Sequence, residues 1–223
     1  MNSYHLKLIA IITMLIDHVG AVLVPNNTML YLIMRCIGRL SFPIFVFLLV
    51  EGFYHTKDVK KYLMRLGAFA LISEIPFDLA FYGKVLEFRH QNIFFTLSLG
   101  LLCMYLMSEV EKRFKMNVIL MNLMNALLTL IIGSVAYLLK TDYDYRGIIL
   151  IVAFYLFRGS KLLRGLSLLF ISGYLLGYIN IYATFAIIPI AFYNGQKGKS
   201  IKYAFYIFYP AHLLILAFIN MLI

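Results

Sequence analysis

Long apolar runs recur from one end of this chain to the other, and they constrain its fold more than any other feature. The clearest passes from Met116 to Leu139 without a charged residue. A run of roughly 20 mostly apolar residues crosses the hydrocarbon core of a bilayer as a helix. Within that core the backbone must satisfy its own hydrogen bonds, which admits only helices and closed barrels. Barrel strands would alternate apolar and polar side chains, and no such alternation occurs. Hydrophobic residues make up 63% of the chain and charged residues 13%, where soluble domains carry about 25% charge. Mean hydropathy is +0.88. Short connections join the runs, so residues 1–223 are expected to form a single all-α, polytopic helical domain.

Nine spans are expected, at 6–24, 28–53, 62–82, 91–110, 116–139, 145–158, 163–177, 179–194 and 202–222. The sixth, seventh and eighth are short. The uncharged stretch Gly165 to Gly195 fits one long helix or a hairpin turning near Gly177–Asn180, and charge favours the hairpin. Cytoplasmic loops carry an excess of Lys and Arg. With the N-terminus inside, the hairpin places 14 of the 20 basic residues on the inner side: Lys7, the 57–65 and 112–115 groups, Arg158, Lys161, Arg164, and the Lys197–Lys202 cluster. A merged helix would carry that last cluster outward. The expected topology is therefore N-terminus cytoplasmic and C-terminus extracytoplasmic.

The net charge of +10 is mostly this topological signal, which also suits anionic lipid head groups. Nucleic-acid binding would need a basic surface outside the membrane, and no soluble domain offers one. The first run is long and lacks a small-x-small site, so it reads as a retained span rather than a cleaved signal. Cys36 and Cys103 fall within spans and read as small buried hydrophobes. No His/Cys cluster has metal-site spacing, and no metal is expected.

Against this background the ionisable residues inside spans stand out. Asp17 and His18 interrupt an otherwise apolar first span, at a cost of at least a few kcal/mol unless a partner or wet cavity compensates. Counting depth at about 1.5 Å per residue puts Asp17, His18, Arg35, Arg39, Glu74 and Asp78 in one slab toward the outer side. Arg35 and Arg39 share a helix face, as do Glu74 and Asp78. Asp17 and His18 are consecutive and diverge. Asp17 is expected to pair with an arginine, leaving His18 free. Polar contacts between membrane helices average about 0.6 kcal/mol, a poor return if six ionisable groups only lock helices together. They are read as a polar site.

Pro43 and Pro76 are expected to kink the second and third spans beside these charges, and Pro210 the last span just before His212. Glu51 is expected at the inner interface. Lys60, Lys61 and Arg65 are either a topological signal or a phosphate clamp. Asn92 is a helix cap or a substrate contact. His212 bonds a carbonyl or joins the site.

Several segments resemble the TraX family: LKLIAIITMLIDHVGA at 6–21, GRLSFPIFVFLLVEGF at 38–53, KYLMRLGAFALISEIPFDLAF at 61–81, NIFFTLSLG at 92–100 and FYPAHLLIL at 208–216. The family is named for a conjugation protein implicated in acetylating a pilin N-terminus. More distantly, the chain is similar to the acyltransferase-three proteins and heparan-glucosaminide N-acetyltransferase. Acyltransferase-three members carry Arg, ten residues, then His in their first helix. Lys7 and His18 have that spacing here.

The resemblance implies a bacterial plasma-membrane enzyme that moves an acetyl group from cytoplasmic acetyl-CoA to an extracytoplasmic amine or hydroxyl. The acceptor would be a pilin N-terminus, a secreted peptide or an envelope glycan. On that view His18 is the general base. Arg39 stabilises the oxyanion or holds Asp17, with Arg35 beside it. Glu74 and Asp78 receive a cationic acceptor, helped by Asn92 and His212, and Lys60, Lys61 and Arg65 hold the CoA phosphates. A transporter is the main rival, since intramembrane charges also build ion paths. Its marks are interrupted helices in both halves, whereas these charges crowd into the first 80 residues. A non-catalytic surface-fibre assembly partner is the second rival.

Overall fold

The computed structural model of the protein describes residues 1–199 and 202–223. The side chain of Lys202, counted above in the inner basic set, lies outside the described residues. Side-chain caps begin most helices where the apolar runs begin. Asn2 accepts from the His5 amide to open α1 (Ser3–Leu23) in a capping box. Thr28 opens α2 (Met29–Gly38), and α3 (Ser41–His55) follows after a break at Arg39–Leu40. Asp58 caps α4 (Val59–Tyr82), and Gly83 ends it at φ +64°, where a side chain would be strained. Asn92 caps α5 (Ile93–Arg113) and Asn117 caps α6 (Val118–Leu138). Then come α7 (Asp144–Leu156) and α8 (Lys161–Phe170). A π turn at Ile171–Leu175 leads to a 3₁₀ helix at Tyr178–Ala186, then α9 (Ile187–Ala191) and α10 (Lys202–Leu222).

Helical segments occupy all nine expected ranges, and the chain turns back near Gly177–Asn180, so that the segment 178–186 packs on α8 and on 171–175. Among the described residues, five stretches are long and apolar enough to cross a membrane: Ser3–Leu23, Met29–His55, Ile93–Arg113, Val118–Leu138 and Tyr203–Leu222. That is fewer than the nine expected. The 13 residues of α7 and the 10 of α8 are too short to traverse a core about 30 Å thick. The protein is a multi-pass helical membrane protein with shorter helices in its last third.

The second expected span does not simply kink at Pro43. It divides. Proline offers no N–H to the carbonyl four residues back, here that of Arg39. The break falls there, and Pro43 sits in the first turn of α3. By contrast α4 runs on through Pro76 and α10 through Pro210.

The packing centres on α1, which touches α2, α3 and α10; α4 lies between α10 and α5, and α7 joins α5, α6 and α3. Leu6 and Ala10 of α1, Ile44 and Val46 of α3, Leu101 and Met104 of α5, Ile148 and Ile151 of α7, and Leu213 of α10 form a continuous core. Helix α6 is the most outward, with Ile119, Leu130 and Leu138 exposed. Apolar surface on this scale fits contact with lipid rather than water.

Helices α5 and α7 meet where Gly100 leaves no room for a Cβ against Ile151. Gly100→Val is expected to destabilise the protein by about 1–3 kcal/mol through overpacking. The thiol of Cys103 is fully buried in α5, so a thiol-reactive fluorogenic dye reads unfolding in detergent. An unchanged melting midpoint would refute this contact.

Candidate functional site

The Asp17 carboxylate lies buried between the two arginines of α2 and its C-terminus. Arg35 Nη1 donates to Asp17 Oδ2 at 2.8 Å, and Arg39 Nη2 donates to both carboxylate oxygens at 2.9 Å. Arg39 Nε also donates to the Arg35 carbonyl at 3.2 Å, a carbonyl near the helix break. Gly38 makes the approach possible, because a Cβ there would overlap the Asp17 side chain. The remaining edge of Arg39, Nη1, faces the Tyr143 hydroxyl and Asn180 Oδ1, both at a long 3.4 Å. Asn180 is fixed by donating to the Leu176 carbonyl at 2.6 Å. Tyr143 stacks on Phe42 with ring centroids 3.9 Å apart. Its left-handed backbone, φ +64°, is a strained position of the kind that clusters at functional sites.

The sequence leaves His18 free, but the structure pairs it with His212. The His18 Nδ1···His212 Nε2 distance is 2.7 Å, and His212 Nδ1 lies 2.7 Å from the Phe208 carbonyl. That carbonyl accepts only, so His212 Nδ1 carries the proton. In the neutral ring its Nε2 must then accept, so His18 Nδ1 is the donor. By elimination, neutral His18 presents an unprotonated Nε2. Phe81 and Tyr209 face the His18 ring edge-on, at 5.4 and 5.9 Å between centroids. Arg35 and Arg39 lie within electrostatic range.

Glu74 and Asp78 are held by the chain that caps α4 and leads to α5. Glu74 Oε2 accepts from the Asn92 amide side chain in a short hydrogen bond, and Asp78 Oδ2 accepts from the Glu87 N–H at 2.7 Å. Their other oxygens, Glu74 Oε1 and Asp78 Oδ1, are buried with no partner among the described residues. Asn92 is itself fully buried, capping Phe94 and donating to the Ala70 carbonyl. The same loop pairs with the α6–α7 loop: Gln91 N–H donates to the Lys140 carbonyl and Asp142 N–H to the Gln91 carbonyl, each at 2.9 Å. Thr96 adds a short bond to the Asp142 carbonyl. Burial pushes the Asp142 carboxyl up to about 6, against the opposing field of Arg39.

The structure thus brings together Asp17, His18, Arg35, Arg39 and His212, and adds Tyr143, Asn180, Asp142 and Tyr209, which sequence reasoning did not select. The TDYDY run at 141–145 offered a signal, being an acidic, aromatic loop facing the expected arginine slab. Glu74 lies within electrostatic range of Tyr209. Among the described residues no three His, Cys, Asp or Glu side chains gather as metal ligands.

At the other end of the bundle Lys60, Lys61 and Arg65 each have different surroundings. Lys61 pairs with Asp58 at 3.4 Å, Arg65 donates to the Tyr206 hydroxyl at 3.3 Å, and Lys60 is exposed. Glu51, near the end of α3, is largely enclosed and accepts from Arg158 Nε at 2.8 Å.

Comparison with known proteins follows this geometry. The family described as TraX protein matches residues 3–220. A relative from Dichelobacter nodosus, the probable fimbrial assembly protein FimC of serogroup H1, is 30% identical over 240 residues, covering 96% of this chain and 94% of its own. No solved structure matches.

Two outcomes follow for the site. Asp17→Asn leaves two guanidinium groups without their counter-ion and is expected to cost about 3–5 kcal/mol. The double variant Asp17→Asn/Arg39→Gln should cost less than the sum of the single changes; additive losses, read as melting in detergent, would contradict the pairing. Asp142 ionises near 3.9 when unfolded and near 6 when folded. Its charge therefore burdens the folded state above pH 6, and the burden fades below pH 4. Asp142→Asn should raise the melting midpoint at pH 8 and lose that advantage at pH 4. A gain that is the same at both pH values would exclude burial of this carboxyl as the cause.

Proposed function

The chain belongs to the TraX family, and from that membership and the His18–His212 pair we propose that it is an integral membrane acyltransferase. It moves an acetyl group from cytoplasmic acetyl-CoA to an amine or hydroxyl beyond the membrane, in the bacterial plasma membrane. Nine passes with the N-terminus inside and the C-terminus outside complete the proposal. The short α7, α8 and 3₁₀–α9 segments are then accommodated by the protein around them. The relative's name refers to fimbrial assembly, which favours a surface-fibre subunit as acceptor.

The supporting observation is the hydrogen-bond chain from the Phe208 carbonyl through His212 to His18, which leaves His18 Nε2 as a base. A neutral acceptor amine attacks the thioester carbonyl carbon while His18 Nε2 takes its proton. The new C–N bond forms and the C–S bond breaks. The His18 proton passes to the departing thiolate, giving the amide and free CoA thiol. Arg39 need not choose between its two expected roles. Nη2 holds Asp17, while the long contacts of Nη1 are weak enough for a developing oxyanion to replace. Glu74 and Asp78 supply negative charge for a cationic acceptor before it loses its proton.

A second reading draws on a specific observation. Interrupted helices occur in both halves, at Arg39–Leu40 and at 171–186, and they meet through Arg39 and Asn180. Such breaks mark transporter sites. Solute uptake by proteoliposomes without acyl transfer would favour it.

The enzyme reading predicts that His18→Ala abolishes transfer from labelled acetyl-CoA while the protein still folds. His212→Gln, which loses the Phe208-anchored ring, should lower kcat about 10²-fold or more, the scale of general-base catalysis, and shift the acid limb of the pH–rate profile. Full turnover by His18→Ala would end this proposal.

A further inference from the structure

A second set of cations gathers at the end of the bundle opposite His18, and one member has no acceptor. Arg158 is committed: its guanidinium bonds Glu51 and lies 4.2 Å from the centre of the Tyr54 ring. Glu51 is thereby occupied. Arg164, on α8, turns inward and lies 5.2 Å from the centre of the Phe47 ring, a core residue. Its Nε is shut off from solvent with no hydrogen-bond partner among the described residues. The nearest charges acting on it are those of Glu51 and Arg158. Lys161 reaches across from the start of α8 to the Ala191 carbonyl at 3.3 Å, a contact that uses one of its three donors. Both side chains line one pocket between α8 and α9, walled by Phe154, Gly165, Ile187 and Ile190.

An arginine present only as a topological signal extends its head toward interfacial water. Arg164 does the reverse. A guanidinium N–H taken out of water calls for an acceptor, and the described residues offer none. The pocket walls are otherwise apolar, so the acceptor that fits is an anionic oxygen brought by a ligand. A forked guanidinium beside an ammonium suits the several oxygens of a phosphate.

We propose that Lys161 and Arg164 form a binding site for a phosphate group. The acyltransferase reading supplies one source, the phosphates of acyl-CoA, and the assignment rests on that reading for this source alone. An anionic lipid head group carries the same chemistry. The site lies on α8 rather than on the 60–65 segment of α4.

The test uses the full chain, purified in detergent, with CoA as the first probe. Arg164→Gln and Lys161→Gln should each weaken CoA binding about tenfold or more, as loss of a charge-assisted hydrogen bond predicts. Lys112→Gln, an exposed cation paired with Glu109, controls for general loss of charge. Should Arg164→Gln fail to fold, the exposed Lys161 carries the test, and Arg164→Lys should retain intermediate affinity. Wild-type affinity in both Gln variants overturns the site without touching the enzyme reading. So does weakening by Lys60→Gln/Lys61→Gln alone. The second probe is a nanodisc containing phosphatidylglycerol, read as a shift in melting. Stabilisation by this lipid that Arg164→Gln removes, with no CoA binding by the wild type, upholds the phosphate site and removes acyl-CoA as its source. Binding of neither probe overturns the site.

Discussion

The Asp17 carboxylate, clasped by Arg35 and Arg39, is the interaction around which one end of this bundle is arranged. A lone carboxylate among the apolar faces of α1 would be too costly to keep charged. Two guanidinium groups compensate it, and their geometry dictates the rest. Arg35 and Arg39 reach one carboxylate only if α1 and α2 approach closely, which the absent side chain of Gly38 permits. Arg39 stands where Pro43 withholds a hydrogen bond and the helix breaks. There its outer edge is open to the α6–α7 loop through Tyr143 and to the late hairpin through Asn180. One ionic contact thus joins four parts of the chain that are far apart in sequence.

The cluster also explains why the α4–α5 and α6–α7 loops are tied together. The bridge between Gln91 and Thr141 brings Asp142 over the arginines, and Asn92 carries the same loop to Glu74. Glu74, whose buried Oε1 has no partner among the described residues, lies within electrostatic range of Tyr209, and the Tyr209 ring faces His18. Such an arrangement suits a site that handles protons and a cationic group. A scaffold would gain more from apolar packing, because buried ion pairs seldom add stability over well-packed hydrocarbon.

Much of this was legible from residue type and spacing. Apolar runs and their caps located the helices, and the basic residues located the hairpin turn at Gly177. Depth counting brought Asp17, His18, Arg35 and Arg39 into one slab because 1.5 Å per residue holds in any helix. What periodicity does not encode is tertiary pairing across long separations. His18 meets His212 only because α10 packs against α1, and Asn180 meets Arg39 only because the late hairpin folds back onto the broken helix. Fewer stretches than the nine expected are long and apolar enough to cross a membrane, and in the last third the reason is related. Apolar composition marks burial in lipid and burial in protein alike, and α7, with Ile148, Leu150 and Ile151 fully enclosed, is buried in protein.

The two charged regions of the molecule differ in one physical respect that bears on direction. At the His18 end two guanidinium groups share Asp17, and the buried atoms with no partner among the described residues include two carboxylate oxygens, Glu74 Oε1 and Asp78 Oδ1, beside one donor, Arg146 Nε. At the opposite end Glu51 is taken up by Arg158, and Arg164 Nε is a donor with no partner among the described residues. The carboxylate oxygens suit a cationic visitor at the first end, and the guanidinium N–H suits an anionic one at the second. A free amino group and a phosphorylated carrier satisfy those opposite deficits. A reaction between two such partners would draw them from opposite ends of the bundle, with His18 on the nucleophile's side.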